Sequence, residues 1–223
     1  MSAENSTDLT SEVVQIVSEL IRIDTSNYGD DSGPGEALAA EYVQASLQSV
    51  GIEAERYETT SSRRQGVYAR IAGADSSRPA LMLHGHLDVV PAAAGDWTYD
   101  PFAAEIHDGC IWGRGAVDMK DGVGMIIALS RYWARNGIVP PRDIVLQFMP
   151  DEEAGSRHGS HWIAENRKDM FANVSQAVGE VGGYSLTLKE DVRLYLVQTA
   201  EKGIRWMKLR AEGTAGHGSF LND

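Results

Sequence analysis

The sequence lacks several features that would place it in particular classes of protein. Cys110 is its only cysteine, so an internal disulfide is excluded and nothing requires an oxidising compartment. No apolar run approaches the roughly 20 residues needed to cross a bilayer. The polar, acidic start MSAENSTDLTSEV has no apolar core of the signal-peptide type. We therefore expect a soluble, cytoplasmic protein with no membrane partner.

Basic residues are also in short supply. The 223 residues include 20 Lys and Arg against 32 Asp and Glu, which gives a formal net charge of −12. Nucleic-acid binding needs a basic face for the phosphates, so we expect no nucleic-acid partner. An acidic surface by itself indicates only solubility. The hydrophobic fraction of 43% is ordinary for a globular chain.

Helical and strand-like patterns alternate along the chain. Apolar residues at helical spacing predict helices over 9–23 (with Thr10 as candidate N-cap), 39–50, 122–136 and 161–167. Short apolar runs predict strands over 66–71, 80–90, 144–149, 176–179 and 194–199. Alternation of this kind predicts an α/β domain whose central sheet is flanked by helices.

Polar motifs follow the predicted strands. HGHLDVVP places His86 two residues before Asp88, and a metal-binding histidine commonly has a carboxylate at its second ring nitrogen. Asp118 lies in GRGAVDMKDG, where it replaces the third glycine of a dinucleotide loop and so excludes that loop. PDEEAGS carries Glu152 and Glu153 directly after the apolar run IVLQFM, and GEVGG carries Glu180.

Each motif alone has an ordinary structural explanation, such as a helix-capping acid or a solvated turn. Together they predict a metal site, because strand ends in α/β sheets are where such folds build sites. Two divalent ions would balance the charge of Asp118, Glu153, Glu180 and one hydroxide. A mixed set of histidine and carboxylate ligands suits Zn²⁺, with Co²⁺ or Mn²⁺ as alternatives.

The ordered motifs resemble the di-zinc metallopeptidase and amidohydrolase family of aminoacylase, acetylornithine deacetylase, succinyl-diaminopimelate desuccinylase and carboxypeptidase-G. The intervals of 32, 35 and 27 residues between His86, Asp118, Glu153 and Glu180 fit that family. The resemblance implies a zinc-exopeptidase-like catalytic domain with a mostly parallel, mixed sheet. It also implies a non-proline cis peptide bond after Asp118.

The resemblance assigns a metal ligand to each motif. His86 and Glu180 would bind one zinc ion, Asp118 would bridge both ions, and Glu153 would bind the second. A complete site would hold two Zn²⁺ ions.

The resemblance also implies the reaction. A zinc-bound hydroxide would attack the amide or peptide bond of an N-acyl amino acid or small peptide, with Glu152 as general base. Asp88 would be the carboxylate partner of His86. His217, in TAGHGSF, would stabilise the tetrahedral oxyanion in the active site of a partner subunit; a solvated loop histidine is the alternative.

Members of this family continue well beyond the length of this sequence. We therefore expect residues 1–202 to form a catalytic metal-binding domain without its C-terminal return segment. Residues 203–223 would begin an α+β lid domain, through which the complete protein would form a homodimer. The absent part would supply a further histidine ligand and the residues that hold a substrate carboxylate. The alternative function is a catalytically inactive metal-binding or interaction fragment.

Overall fold

The computed structural model describes residues 3–180, 185–197, 199–200, 207–210 and 212. Contacts divide the chain into two compact units, Met1–Val181 and Gly182–Asp223. The α-helices described are α1 Ala3–Arg22, α2 Ala37–Gln48, α3 Lys120–Arg135 and α4 Ser160–Asn166, and the 3₁₀ helices are Ala94–Asp96 and Lys168–Phe171. The strands are β1 Ala54–Glu58, β2 Gln65–Ile71, β3 Ala80–His86, β4 Glu105–His107, β5 Cys110–Trp112, β6 Ile144–Met149, β7 Val174–Val178, β8 Ser185–Lys189 and β9 Val192–Tyr195.

A mixed five-stranded sheet organises the first unit. Its strand order is β1-β2-β6-β3-β7. β1 pairs with β2, and β2 with β6, in antiparallel register, whereas β3 runs parallel to both β6 and β7. The carboxyl ends of β3, β6 and β7 therefore meet at one edge of the sheet. β4 with β5, and in the second unit β8 with β9, form separate antiparallel hairpins.

Strand β6 shows how the two faces of this sheet are filled. Because side chains alternate along a strand, Leu146 and Phe148 join the core cluster that includes Leu20 of α1, Val43 of α2 and Val123 of α3. On the other face, Val145 packs with Met82 of β3. A further cluster unites Tyr57 of β1 with Ile163 of α4 and Met170. The helices thus cover both faces, which confirms the predicted α/β fold.

Several predicted boundaries differ from the structure. The strand predicted over 194–199 is β9, Val192–Tyr195. α1 begins at Ala3, so Thr10 lies inside the helix rather than at its start; the polar first turns carry no apolar periodicity that would reveal them. β3 ends at His86 rather than Val90. After His86 the chain pairs with the segment behind α1, since Val89 N donates to Thr25 O and Asn27 N donates to Val89 O.

Two features of the fold bear on the remaining predictions. No helix within the described ranges is long and apolar enough to span a membrane. The division into residues 1–202 and 203–223 stays a prediction, and most of the second segment lies outside the described residues.

Candidate metal centre

The motif residues collect at the edge where the parallel strands end. His86 is the last residue of β3, Glu152 and Glu153 follow β6, and Glu180 follows β7. Asp118 lies just before α3, a helix that packs against β3. Three segments far apart in sequence therefore bring carboxylates towards the imidazole of His86.

Three of these side chains form a close donor group. The Nε2 atom of His86 lies 3.0 Å from Asp118 Oδ1 and 3.5 Å from Glu180 Oε2. One ligand atom from each of His86, Asp118 and Glu180 lies within 4.8 Å of the others. The imidazole is buried, with 2% of its side-chain surface exposed, whereas 57% of Asp118 and 37% of Glu180 is exposed. The group is thus open on its carboxylate side.

The tautomer of His86 is set by Asp88. The Nδ1 atom lies 2.9 Å from the backbone oxygen of Asp88, which can only accept, so Nδ1 carries the hydrogen and donates it. In the neutral imidazole, which is the form that binds a metal ion, Nε2 then has the free lone pair. The Asp88 carboxylate is farther away, with Oδ1 3.5 Å from Nδ1. The hydrogen bond between Asp88 and His86 is therefore made by the backbone carbonyl of Asp88 and not by its carboxylate.

The electrostatic environment of His86 favours positive charge. Burial lowers the pKa of His86, but its interactions with Asp118, Asp88 and Glu180 outweigh burial and raise the pKa to about 12. Several carboxylates thus stabilise a cation at Nε2. A divalent ion at this point would meet the same carboxylates, and imidazole with carboxylate is a donor set suited to zinc. The residues present therefore fit the metal that the motifs predict.

Glu152 and Glu153 border this group without belonging to it. Glu152 Oε2 lies 4.0 Å from His86 Nε2, and 52% of the Glu152 side chain is exposed. Burial raises the pKa of Glu153 to about 7, reinforced by the charge of Asp118. Burial also raises the pKa of Glu152. Among the described residues, Glu153 is not part of the three-residue donor group, so its role as a ligand stays a prediction.

Asp151 differs from the two acids that follow it. It is buried with φ of 65°, and its Oδ2 accepts from His158 N at 2.8 Å. Its Oδ1 accepts from Asn27 Nδ2 at 2.9 Å and lies 3.8 Å from Arg64 Nη2. Asp151 is therefore balanced by a buried arginine. Asn27 and Arg64 could not be predicted as part of the site, because nothing in the sequence around them marks them as such.

Two further predictions concern the surroundings of the centre. The Asp118–Met119 peptide bond is cis, which confirms the predicted non-proline cis bond. His217 lies outside the described residues, and its role stays a prediction.

Sequence comparison places these residues among known proteins. The family model described as Peptidase family M20/M25/M40 matches residues 82–207. An uncharacterized metallohydrolase of Methanocaldococcus jannaschii is 30% identical over 95% of this chain and 52% of its own length. A succinyl-diaminopimelate desuccinylase of Rhodospirillum centenum is 39% identical over 59% of this chain and 35% of its own. Aminoacylase-1 of Dictyostelium discoideum is 29% identical over 93% of this chain and 48% of its own length.

Structure comparison gives a consistent result for the fold. An M20 family metallo-carboxypeptidase from Sulfolobus solfataricus superimposes with a TM-score of 0.66 at 22% sequence identity, covering 77% of this chain and 38% of that one. At this identity the similarity concerns the fold alone. The chain spans about half the length of most of the curated relatives that it matches.

Proposed function

Because the chain belongs to peptidase family M20/M25/M40, we propose that it carries the metal centre of a hydrolase that cleaves an amide or peptide bond. Membership confirms the resemblance predicted from the four motifs and the class of metallohydrolase. The proposed substrate is an N-acyl amino acid or a small peptide. The proposed cofactor is a pair of Zn²⁺ ions, with Co²⁺ or Mn²⁺ as alternatives.

One observation carries this proposal. The buried imidazole of His86 presents its Nε2 atom to Asp118 and Glu180, while Glu152 lies beside the group with its Oε2 4.0 Å from the same nitrogen. Metal-assisted hydrolysis combines metal ligands with a nearby general base, and this arrangement of His86, Asp118, Glu180 and Glu152 supports both roles.

Each residue of the centre has a proposed role. His86 and Glu180 would hold one ion, Asp118 would bridge to the second, and Glu153 would bind the second. When bound, such ions polarise the scissile carbonyl and lower the pKa of water. Glu152 takes the proton from the attacking water and delivers it to the leaving amine nitrogen, so that it serves as base and then as acid.

The substrate class is supported by the names of the relatives. Desuccinylase and aminoacylase are both names that refer to acyl groups on amino compounds. The side chains of His86 and Asp88 are buried on the sheet side, whereas Asp118 and Glu180 are exposed and leave the carboxylate side open to a substrate. Homodimer formation through residues 203–223, stabilisation of an oxyanion by His217 and a cytoplasmic location belong to the same proposal for the whole protein.

The test is Glu152→Gln in the full chain, assayed for release of free amine from a panel of N-acyl amino acids and dipeptides. The assays are run after loading with Zn²⁺, Co²⁺ or Mn²⁺. We expect the parent to hydrolyse at least one substrate and the variant to lose roughly 10²–10⁴-fold in kcat, the usual contribution of a positioned base. Metal content, measured by mass spectrometry, should stay the same.

Glu165→Gln is the matched control, because Glu165 is an exposed glutamate of α4. It makes the same chemical change away from the centre and should leave turnover intact. Loss of metal from Glu152→Gln would show that Glu152 is a ligand rather than the base. Full metal loading of the parent without hydrolysis of any substrate would overturn the proposed activity and favour the metal-binding or interaction fragment.

A further inference from the structure

A buried amide lies beneath the candidate metal centre. Asn27 is 5% exposed, and its Nδ2 donates to Asp88 Oδ2 at 2.8 Å and to Asp151 Oδ1 at 2.9 Å. Its Oδ1 accepts from Arg64 Nη2 and from Gly29 N, both at 3.0 Å. Both N–H groups and both lone pairs of the amide are therefore used. A flipped amide would face two carboxylates with its oxygen and two donors with its nitrogen, so the orientation is fixed.

The two carboxylates that Asn27 joins hold the chain that carries Glu152 and Glu153. Asp88 Oδ1 accepts from the backbone N–H of Glu152 at 2.9 Å, and Asp88 Oδ2 accepts from that of Glu153 at 3.0 Å. Asp151 begins the same turn. Since the backbone oxygen of Asp88 also accepts from His86, Asp88 connects the histidine to both glutamates.

The charges explain why an amide is needed at this point. Asp88 and Asp151 are 0% and 1% exposed, and like charges brought together in a protein interior repel. Asn27 places one N–H against each of them. The Asp88 carboxylate accepts three N–H groups, from the side chain of Asn27 and from the backbones of Glu152 and Glu153. Asn27 therefore supplies part of the hydrogen bonding that a buried carboxylate needs.

Arg64 anchors the other end of the amide. Its side chain is 4% exposed, and Nη1 donates to Glu36 Oε1 at 2.6 Å while Nε donates to Asp31 Oδ1 at 2.9 Å. A guanidinium held by two carboxylates has little freedom to turn, so the N–H that it offers to Asn27 keeps its direction.

We propose that Asn27 is a positioning residue of the metal centre, whose amide ties Asp88 to Asp151 and so fixes the main chain of Glu152 and Glu153. The inference rests on the proposed function, because it matters only where those glutamates serve as base and ligand. The hydrogen bonds of the Asn27 amide go to Asp88, Asp151, Arg64 and Gly29 and not to the donor group, so it acts through Asp88 and Asp151.

The first experiment measures amide hydrogen exchange, by NMR, on the metal-free full chain. In Asn27→Ala the N–H groups of Glu152 and Glu153 should lose about tenfold in protection, the change expected when a hydrogen bond of ordinary net strength is weakened. Protection of Leu146, in the middle of β6, should not change. Asn27→Asp keeps the size of the side chain but replaces its two donors by acceptors. In this variant the protection of the Glu152 and Glu153 N–H groups should fall at least as far as in Asn27→Ala.

The second experiment is a Co²⁺ titration followed by visible absorption. Loss of a residue that supports metal ligands typically weakens metal affinity 10–100-fold, and we expect this range for Asn27→Ala together with an altered Co²⁺ spectrum. Tyr57→Phe is the control, because it removes a buried hydroxyl that donates to Phe148 O and accepts from Gln147, without contact to either carboxylate. Its Co²⁺ spectrum should match that of the parent.

Parent-like protection of Glu152 and Glu153 and parent-like Co²⁺ binding in both Asn27 variants would overturn the proposal. If neither variant has the circular dichroism of the parent, Asn27→Ser replaces them and the same two readouts decide. Hydrogen exchange needs no turnover, so failure of the proposed hydrolysis and failure of the positioning role give different results.

Discussion

A cluster of ion pairs between α1 and α3 offers a direct test of how the helical layer is held together. Glu12 of α1 accepts from Arg131 Nε at 2.6 Å and from both terminal nitrogens of Arg135 at 2.6 and 2.5 Å. Arg131 also donates to Ser46 O and Ser49 Oγ at the end of α2. The Glu12 carboxylate therefore holds both arginines of α3 against α1, and Arg131 also connects these two helices to the end of α2.

The perturbation is Glu12→Gln, which keeps the shape of the side chain and removes its charge. Glu12 is 13% exposed, and its partners Arg131 and Arg135 are 21% and 34% exposed. Fully exposed pairs contribute about 0.2–1 kcal/mol, and hydrogen bonds to charged groups contribute about 1.5–3 kcal/mol. Since glutamine can still accept through one oxygen, we expect the free energy of unfolding to fall by about 1–2 kcal/mol at pH 7 and low salt.

The loss should depend on pH in a defined direction. Hydrogen bonding with Arg135 is the main cause that holds the pKa of Glu12 below its ordinary value of 4.5. A carboxylate of lowered pKa stabilises the fold above the unfolded pKa, and this stabilisation disappears as the pH falls through the folded pKa. A protonated Glu12 resembles glutamine, so the difference between parent and variant should shrink towards zero as the pH is lowered from 5 to 3.

The assay is urea unfolding of metal-free protein at pH 7, 5 and 3.5, with parent and variant compared at each pH so that shared titrations cancel. Glu19→Gln is the control on the same helix, because Glu19 forms an ion pair with Arg22, three residues away, in which both side chains are about half exposed. It should cost at most a few tenths of a kcal/mol. A Glu12 effect that is independent of pH, or no larger than the Glu19 effect, would refute the role of the ion pairs.

Two further substitutions test the metal centre and the helix packing. Glu153→Ala should lower the metal content from about two ions per chain towards one, measured by mass spectrometry after loading with Zn²⁺, and an unchanged ratio would contradict its assignment as a ligand. Gly124→Ala should destabilise the fold by about 1–3 kcal/mol in thermal unfolding, because an added Cβ would lie 2.5 Å from Cγ2 of Val17 on α1. Greater stability, as helix propensity alone predicts, would show that the two helices separate freely.

Elements with a strong local pattern could be predicted from the sequence. The continuous apolar run of β6 gave a strand with the same bounds as the structure, Ile144–Met149. α2 was placed within two residues at each end by its apolar periodicity and the glycine that follows. The sequence carried no comparable signal for β1, AERYE, because most of its residues are charged and its place at the sheet edge depends on pairing with β2.

Strand β3 shows where a local pattern misleads. The residues LDVV after His86 continue an apolar run, which favours a strand as far as Val90. The backbone instead leaves its sheet neighbours and forms a parallel bridge between Ser26 and Val89. That exchange of partners brings Asn27 beside Asp88. No pattern within either segment encodes it, because the two are 61 residues apart.

The three acids after β6 explain why the motif residues could be predicted and their supports could not. Asp151, Glu152 and Glu153 look alike in sequence, and a carboxylate cluster predicts that positive charge must lie nearby. In the structure the three acids have different partners. Arg64 and Asn27 contact Asp151, whereas Glu152 and Glu153 lie beside the donor group at His86. Asn27 and Arg64 lie in two separate loops, one between α1 and α2 and one between β1 and β2, and each is rich in polar, turn-forming residues that are usually solvated. Their burial is decided by contacts over 124 and 37 residues, so the supporting network of the centre is a property of the tertiary structure alone.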